Sequence, residues 1–493
     1  MHRISTKAIF RFISGIFLLS LFSCAASKNY NPNKKYSAES LRQDYTLLRN
    51  ILEKEHPALY WYSSKESMNN IFDLGYKSIE DSMTELQFGW KILAPLTSSI
   101  HCGHTSFKMS RQWNQFIKNR NIPSFPLWLK VWKDTMMVIE NRNKKDSIIK
   151  TGSFIKSING VSSADLVNIL FDYMVEDGYA ENVKYIRLSS AFPFFHRNVF
   201  GLYKNYSVVF SDSSGKISST VLPYYAQPED SLQKIKKEIF FKKRSRSERL
   251  NDLRSLKIDS SQALMTINTF SKAHLNSFFK HSFRLLRRKK ISNLVIDIRT
   301  NGGGDISRSA LLTKFIRKAP FKVADSAYAV SKNFSPFSKY ISNAFFNNIG
   351  MLLFTRKHSD GKYHFGYWER HTYKPKQKNN FSGKVFVLTN GLTFSASTLF
   401  CNAVKGQPNV TLVGEETGGG WYGNSGILIP DIKLPNTHLK VRLPFFRLVQ
   451  FNHIAEKGRG VFPDVFVPPN WQDILNGVDT KLKVVQQLID EKR

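Results

Sequence analysis

The chain has 493 residues, with 72 Lys+Arg against 38 Asp+Glu and a formal net charge of +34. That length supports two or three domains around a sizeable core and excludes a single small module. The charge surplus brings two partner classes into consideration, nucleic acid and anionic surfaces.

The N-terminus separates them. Arg3, Lys7 and Arg11 precede the apolar run Phe12 to Phe22, which is too short for a comfortable membrane span. The run ends in Leu21-Phe22-Ser23-Cys24, which resembles a bacterial lipobox. That resemblance implies a lipoprotein signal peptide over 1–23, cleavage before Cys24 and lipidation of its thiol. Phe22 is bulkier than the usual residue there, and an ordinary secretory signal peptide is the alternative. Either way the chain leaves the cytoplasm for the bacterial cell envelope, periplasmic or surface-exposed. Nucleic acid is then not an expected partner.

Residues 24–36, with Asn29, Asn31, Pro32 and Asn33, read as a tether. An N-terminal helical region follows over 37–118. Leu41, Tyr45, Leu48 and Leu52 share one helix face, and Thr84 with Gln87 has capping-box spacing. The turn Ile100-His101-Cys102-Gly103-His104 closes this region. Its His and Cys lack a second ligand cluster, so no metal is expected. Residues 119–225 form a module of their own. Leu127, Leu129 and Val131 alternate as a strand, Met136 to Ile139 form another, and Ala164 to Met174 are helical. With Gly152-Ser153-Phe154-Ile155-Lys156-Ser157-Ile158-Asn159-Gly160 between them, the module resembles a PDZ-like domain. The resemblance implies capture of an extended peptide by strand addition. A generic small β-domain is the plainer reading.

Residues 226–258 make a basic linker, crowded with Lys236, Lys237, Lys242, Lys243, Arg244, Arg246 and Arg249. Such runs are usually solvated faces. The aromatics are too irregular for a nucleic-acid groove, so attraction to anionic lipid or polysaccharide is the preferred use. Over 259–475 strands alternate with helices, as in a mostly parallel, helix-covered sheet. Asn333 to Asn380 is aromatic-rich without clear periodicity, either an insertion over a cleft or part of its wall. A C-terminal helix is expected over 476–493.

Two stretches of this α/β core carry chemistry. Val385 to Leu388 is an apolar run suited to a strand buried on both faces. Asn390-Gly391 breaks it, and a helical pattern opens at Ser395-Ala396-Ser397. A serine at a strand-to-helix turn is either an N-cap or a nucleophile beside outward-pointing amides. The second stretch is Asp297-Ile298-Arg299-Thr300-Asn301-Gly302-Gly303-Gly304, whose glycines leave backbone amides uncovered.

Together these stretches, and Gly414-Glu415-Glu416-Thr417-Gly418-Gly419-Gly420 after them, resemble peptidase family S41, the C-terminal processing or tail-specific proteases. The resemblance implies a multidomain α/β protein with a catalytic core of the ClpP/crotonase-like type. It implies a serine-type endopeptidase acting on peptide or protein substrates, extended or C-terminal segments among them, with no cofactor. Ser395 takes the nucleophile's place. Oxyanion donors are the amide of Ala396 and one from Gly302 or Gly303. Many members set a lysine base where this chain has Gly420, so the Lys-less, tricorn-like branch is the nearer pattern. There the base is a histidine, His104 or else His101, and a carboxylate orients it. Glu456 is the expected orienter, upstream of Gly460-Val461-Phe462-Pro463-Asp464. Some tricorn-like sites have a serine beside the histidine, where this chain has Gly103. A catalytically inactive S41-like binding protein at the envelope is the alternative.

Overall fold

The computed structural model describes residues 30–118, 120–133, 135–227, 245–452 and 455–491. Cys24 and most of the basic linker lie outside them. Helix α1 (Ala38–Glu55) starts at Ser37, whose side chain accepts from the Ser40 N–H. Its stripe of Leu41, Tyr45, Leu48 and Leu52 is fully buried. A second helix, α2 (Lys65–Lys77), packs on it. Both bonds of the Thr84–Gln87 capping box are formed. Asp44 on α1 accepts from the backbone N–H groups of Asn436 and Thr437. Leu48 and Ile51 share a core with Ile432, Val441 and Phe445. The N-terminal helices are therefore fastened to the distant C-terminal half by burial and by a buried carboxylate.

The next module is an antiparallel sheet of β1 (Leu127–Trp132), β2 (Thr135–Asn141), β3 (Phe154–Ile158), β4 (Asn205–Ser211) and β5 (Ile217–Pro223), in that order. Helices α3 (Ser163–Phe171) and α4 (Asn182–Phe200) close its core. Leu127, Leu129 and Val131 point inward, as their alternation requires. Helix α3 stops three residues short of Met174, which is buried in a tight turn.

The C-terminal half holds a six-stranded sheet. Its strands are β6 (Arg254–Asp259), β7 (Gln262–Ile267), β8 (Asn293–Asp297), β10 (Lys384–Thr389), β11 (Val410–Gly414) and β14 (Val465–Phe466). Only β6 runs antiparallel. Helices α5 (Leu275–Arg288) and α6 (Ile306–Ile316) cover one face. A second, antiparallel sheet contains β9 (Ala324–Ala329), β12 (Gly423–Gly426) and β13 (Phe446–Gln450). The aromatic-rich stretch carries helix α7 (Ala344–Phe354) and short strands. Strand β10 shows why the apolar run had no alternation: Val385 and Val387 face α5 and helix α8 (Ala396–Val404), while Phe386 and Leu388 face helix α9 (Thr480–Asp490).

Candidate active site

Parallel strands end together on one edge of the sheet, and ligands bind at such edges in open α/β folds. Here β8 delivers the glycine triplet, β10 the Ser395 turn and β11 the Glu415–Gly420 stretch. The turn is built locally. The Asn390 side chain accepts from the Leu392 N–H at 2.8 Å. The Thr393 hydroxyl donates to Ile298 O at 3.1 Å, and the Phe394 N–H donates to Asn301 O at 3.1 Å. Ser395 is then held at φ +56°, ψ −120°, and its side chain accepts no N–H from α8. An N-cap serine sits in the β region and makes that bond. This one does neither. A non-glycine residue in such a conformation is strained, and the fold around it must hold it there.

Two glycine backbones press on the serine. A Cβ on Gly303 would lie 2.7 Å from Ser395 Cβ and 3.0 Å from the Ala396 nitrogen, and Gly303 has φ +101°. A Cβ on Gly419 would lie 2.9 Å from the Ser395 nitrogen. Only glycine fits either place. The Gly303 N–H is engaged by the Asn301 side chain at 2.9 Å. Gly302 is exposed, and its N–H has no hydrogen bond among the described residues. Ala396 opens the helix, so its N–H has no intrahelical partner.

His104 lies against the serine's neighbour, with ring centres of His104 and Phe394 4.8 Å apart. No hydrogen bond joins it to Ser395, and its Nδ1 is buried without a partner among the described residues. Burial first, then Arg442, Arg187 and Arg447, push its pKa down to about 3. Asp177 holds the histidine loop. Its carboxylate accepts from the Gly103 N–H at 2.7 Å and from the Gly420 N–H at 3.2 Å. Burial raises the Asp177 pKa to about 6. Gly420, in the place of the family's lysine, has no room for a side chain: a Cβ would lie 2.4 Å from Gly423 O.

The other expected residues fall elsewhere. His101 Nδ1 meets the buried Glu176 at 2.9 Å, and Glu176 pairs with Lys184 at 2.7 Å. Glu456 is exposed and makes no hydrogen bond to His104, because its segment faces solvent beside Arg459. Asp177 and Arg447 are the residues that sequence reasoning missed. Asp177 sits in an unremarked Glu-Asp-Gly turn, and only the fold shows its contacts. A cavity of about 520 Å³ opens along the same seam, lined by Tyr179, Glu415, Glu416 and Arg459, though Ser395 does not line it. Among the described residues no group of three or more His, Cys, Asp or Glu side chains is disposed to hold a metal ion.

The strained serine, the glycine-cradled amides and the ends of the parallel strands converge at one edge of the sheet. Residues 261–467 match the protein-family model described as peptidase family S41. The match is confined to that segment, and a serine-type peptidase is the enzyme class it supports. No curated relative matches the chain. The fold is similar to the crystal structure of mature CPAF, at 13% identity and TM-score 0.63, over 92% of this chain and 97% of that one. A structure of mature CPAF complexed with lactacystin matches at the same identity and TM-score, over 92% of this chain and 99% of that one.

Proposed function

We propose that this chain is a serine endopeptidase of the cell envelope that cleaves extended or C-terminal segments of proteins and peptides. One observation carries the reading: Ser395 is held in a strained turn at the head of α8, with Gly303 packed against its Cβ. Ser395 Oγ attacks the scissile carbonyl carbon and His104, neutral at working pH, takes the hydroxyl proton. The oxyanion accepts from the Ala396 and Gly302 amides, each such donor being worth ~10²–10³ in rate. His104 returns the proton to the leaving amine, and water repeats the attack on the acyl-enzyme. The Asp177 clamp positions the histidine, a role the sequence had assigned to Glu456.

A fluorophosphonate probe tests this. Wild type labels and hydrolyses peptide, while Ser395→Ala does neither and keeps its thermal midpoint. An unlabelled wild-type protein would favour the inactive, binding-protein alternative instead. The PDZ-like reading of the β1–β5 module belongs to the same proposal and would present the peptide by strand addition. Membrane attachment rests on sequence alone. Lipid on Cys24 should hold the protein in the detergent-soluble membrane fraction, and Cys24→Ser should release it. Equal partition of the two would end the lipoprotein reading.

A further inference from the structure

Arg447 is a fully buried arginine, 2% exposed. It lies on β13, opposite Ser425 of β12 and Tyr328 of β9. Its guanidinium carbon sits 3.6 Å from the centre of the Trp61 ring and 6.0 Å from that of Tyr62. Among the described residues it forms no ion pair, and its Nε and Nη2 have no hydrogen-bond partner. A buried cation with no carboxylate at ion-pair distance is costly, and neither stacking on one indole nor the more distant Asp177 offsets all of that cost.

The unpartnered groups nearest its guanidinium include several donors, while the Gln450 Oε1 acceptor, three residues along β13, lies on the other face of the strand. Arg447 Nε and Nη2 and Trp61 Nε1 can only donate, and the Ser425 hydroxyl can donate. Ser425 and Arg447, directly opposite on neighbouring strands, share a face of the sheet. Such a set fits a planar acceptor with two oxygens, which a guanidinium fork binds bidentately.

Its place ties it to the candidate active site. Trp61 lies 5.9 Å from Tyr422, two residues beyond Gly420. Gln450, three residues beyond Arg447 on β13, donates to Gly420 O at 2.8 Å. Gly420 in turn donates to Asp177, which holds the His104 loop. The positive potential of Arg447 also reaches both Asp177 and His104.

We infer that Arg447, roofed by Trp61, is a specificity residue that anchors a carboxylate of the bound peptide, from its free C-terminus or from an Asp or Glu side chain. The inference rests on the peptidase reading for its substrate, but its test needs no turnover. Ser395→Ala protein is titrated with labelled peptides by fluorescence anisotropy. One pair differs as free C-terminal acid against C-terminal amide, the other as internal Glu against internal Gln. One pair should differ at least ~10-fold in Kd, and that pair names the source of the carboxylate. In Ser395→Ala/Arg447→Met the difference should shrink to within ~2-fold, whereas general attraction to a basic protein would survive the substitution. Equal binding within both pairs by the Arg447 protein overturns the anchor, and so does a difference that persists in Arg447→Met. If Arg447→Met does not fold, Arg447→Lys replaces it and should lose most of the discrimination, because an ammonium lacks the fork. Failure of probe labelling at Ser395 would strike the peptidase reading alone and leave this binding result standing.

Discussion

His104 serves as a base only while neutral, and its surroundings keep it so. An ordinary histidine, with a pKa of ~6.5, would lose ~30-fold in kcat/KM by pH 5. With the imidazole held at about 3 by burial and three arginines, His104 itself should add no limb to kcat/KM from pH 7.5 to 5, and any limb near 6 belongs to the Asp177 clamp. pH–rate profiles of wild type and Asp177→Asn check this: a limb that Asp177→Asn removes is the clamp's, and one that it keeps shows that His104 titrates in the working enzyme. At this scale the serine is marked by local signals, whereas His104 is preferred to His101 only through the family resemblance. Strand, Asn-Gly break and helix onset are local signals, so Ser395 and the glycines announce themselves. His101 and His104 share one turn, and they differ through residues far along the chain, Glu176 and Tyr179 for the first and Phe394 for the second. Glu456 was placed by motif spacing, but motif spacing does not report that its side chain faces water.

Elements were readable wherever one face is buried and the other is not. The α1 stripe, the Thr84 capping box and the β1 alternation each follow from a single period, and each forms. Strand β10, buried on both faces, was readable by its continuous apolar run. The second sheet was not. Its β12 reads Gly-Asn-Ser-Gly, four buried residues with no apolar side chain, so packing of partner strands decides it and propensity does not. Helix α7 hid for the opposite reason. Phe345 and Phe346 are 72% and 73% exposed while Ala344 and Met351 are buried, which leaves no polar face to mark a period. Arg447 was lost in the same sheet, because an arginine in a basic chain carries no sign of burial.

Across the whole molecule, buried titratable groups set how stability answers to acid. His56, His104 and His196 have pKa values lowered to about 3, 3 and 4, burial being the first cause for each. The unfolded chain holds their protons below ~6.5 and the folded chain does not, so stability is lost as pH falls through that window. Glu55 and Asp177 act the other way. Burial raises them to about 7 and about 6, so they favour the folded state in acid and lose that contribution as pH rises through those values. Near pH 5 the unfolding chain gains ~3 protons on the histidines and releases ~1.5 from the two carboxyl groups. The histidines win, and stability should fall by ~1–2 kcal/mol per pH unit between pH 6 and 4.5. His196 isolates the effect, because it lies in the β1–β5 module, stacked on Phe125 at 5.5 Å with its Nδ1 unpartnered among the described residues. His196→Phe should keep the packing and flatten the slope by ~1.1 kcal/mol per pH unit. Urea unfolding of both proteins from pH 6 to 4.5 measures it. Parallel slopes would mean that the growing positive charge of a basic chain, and not buried histidine, drives its acid sensitivity.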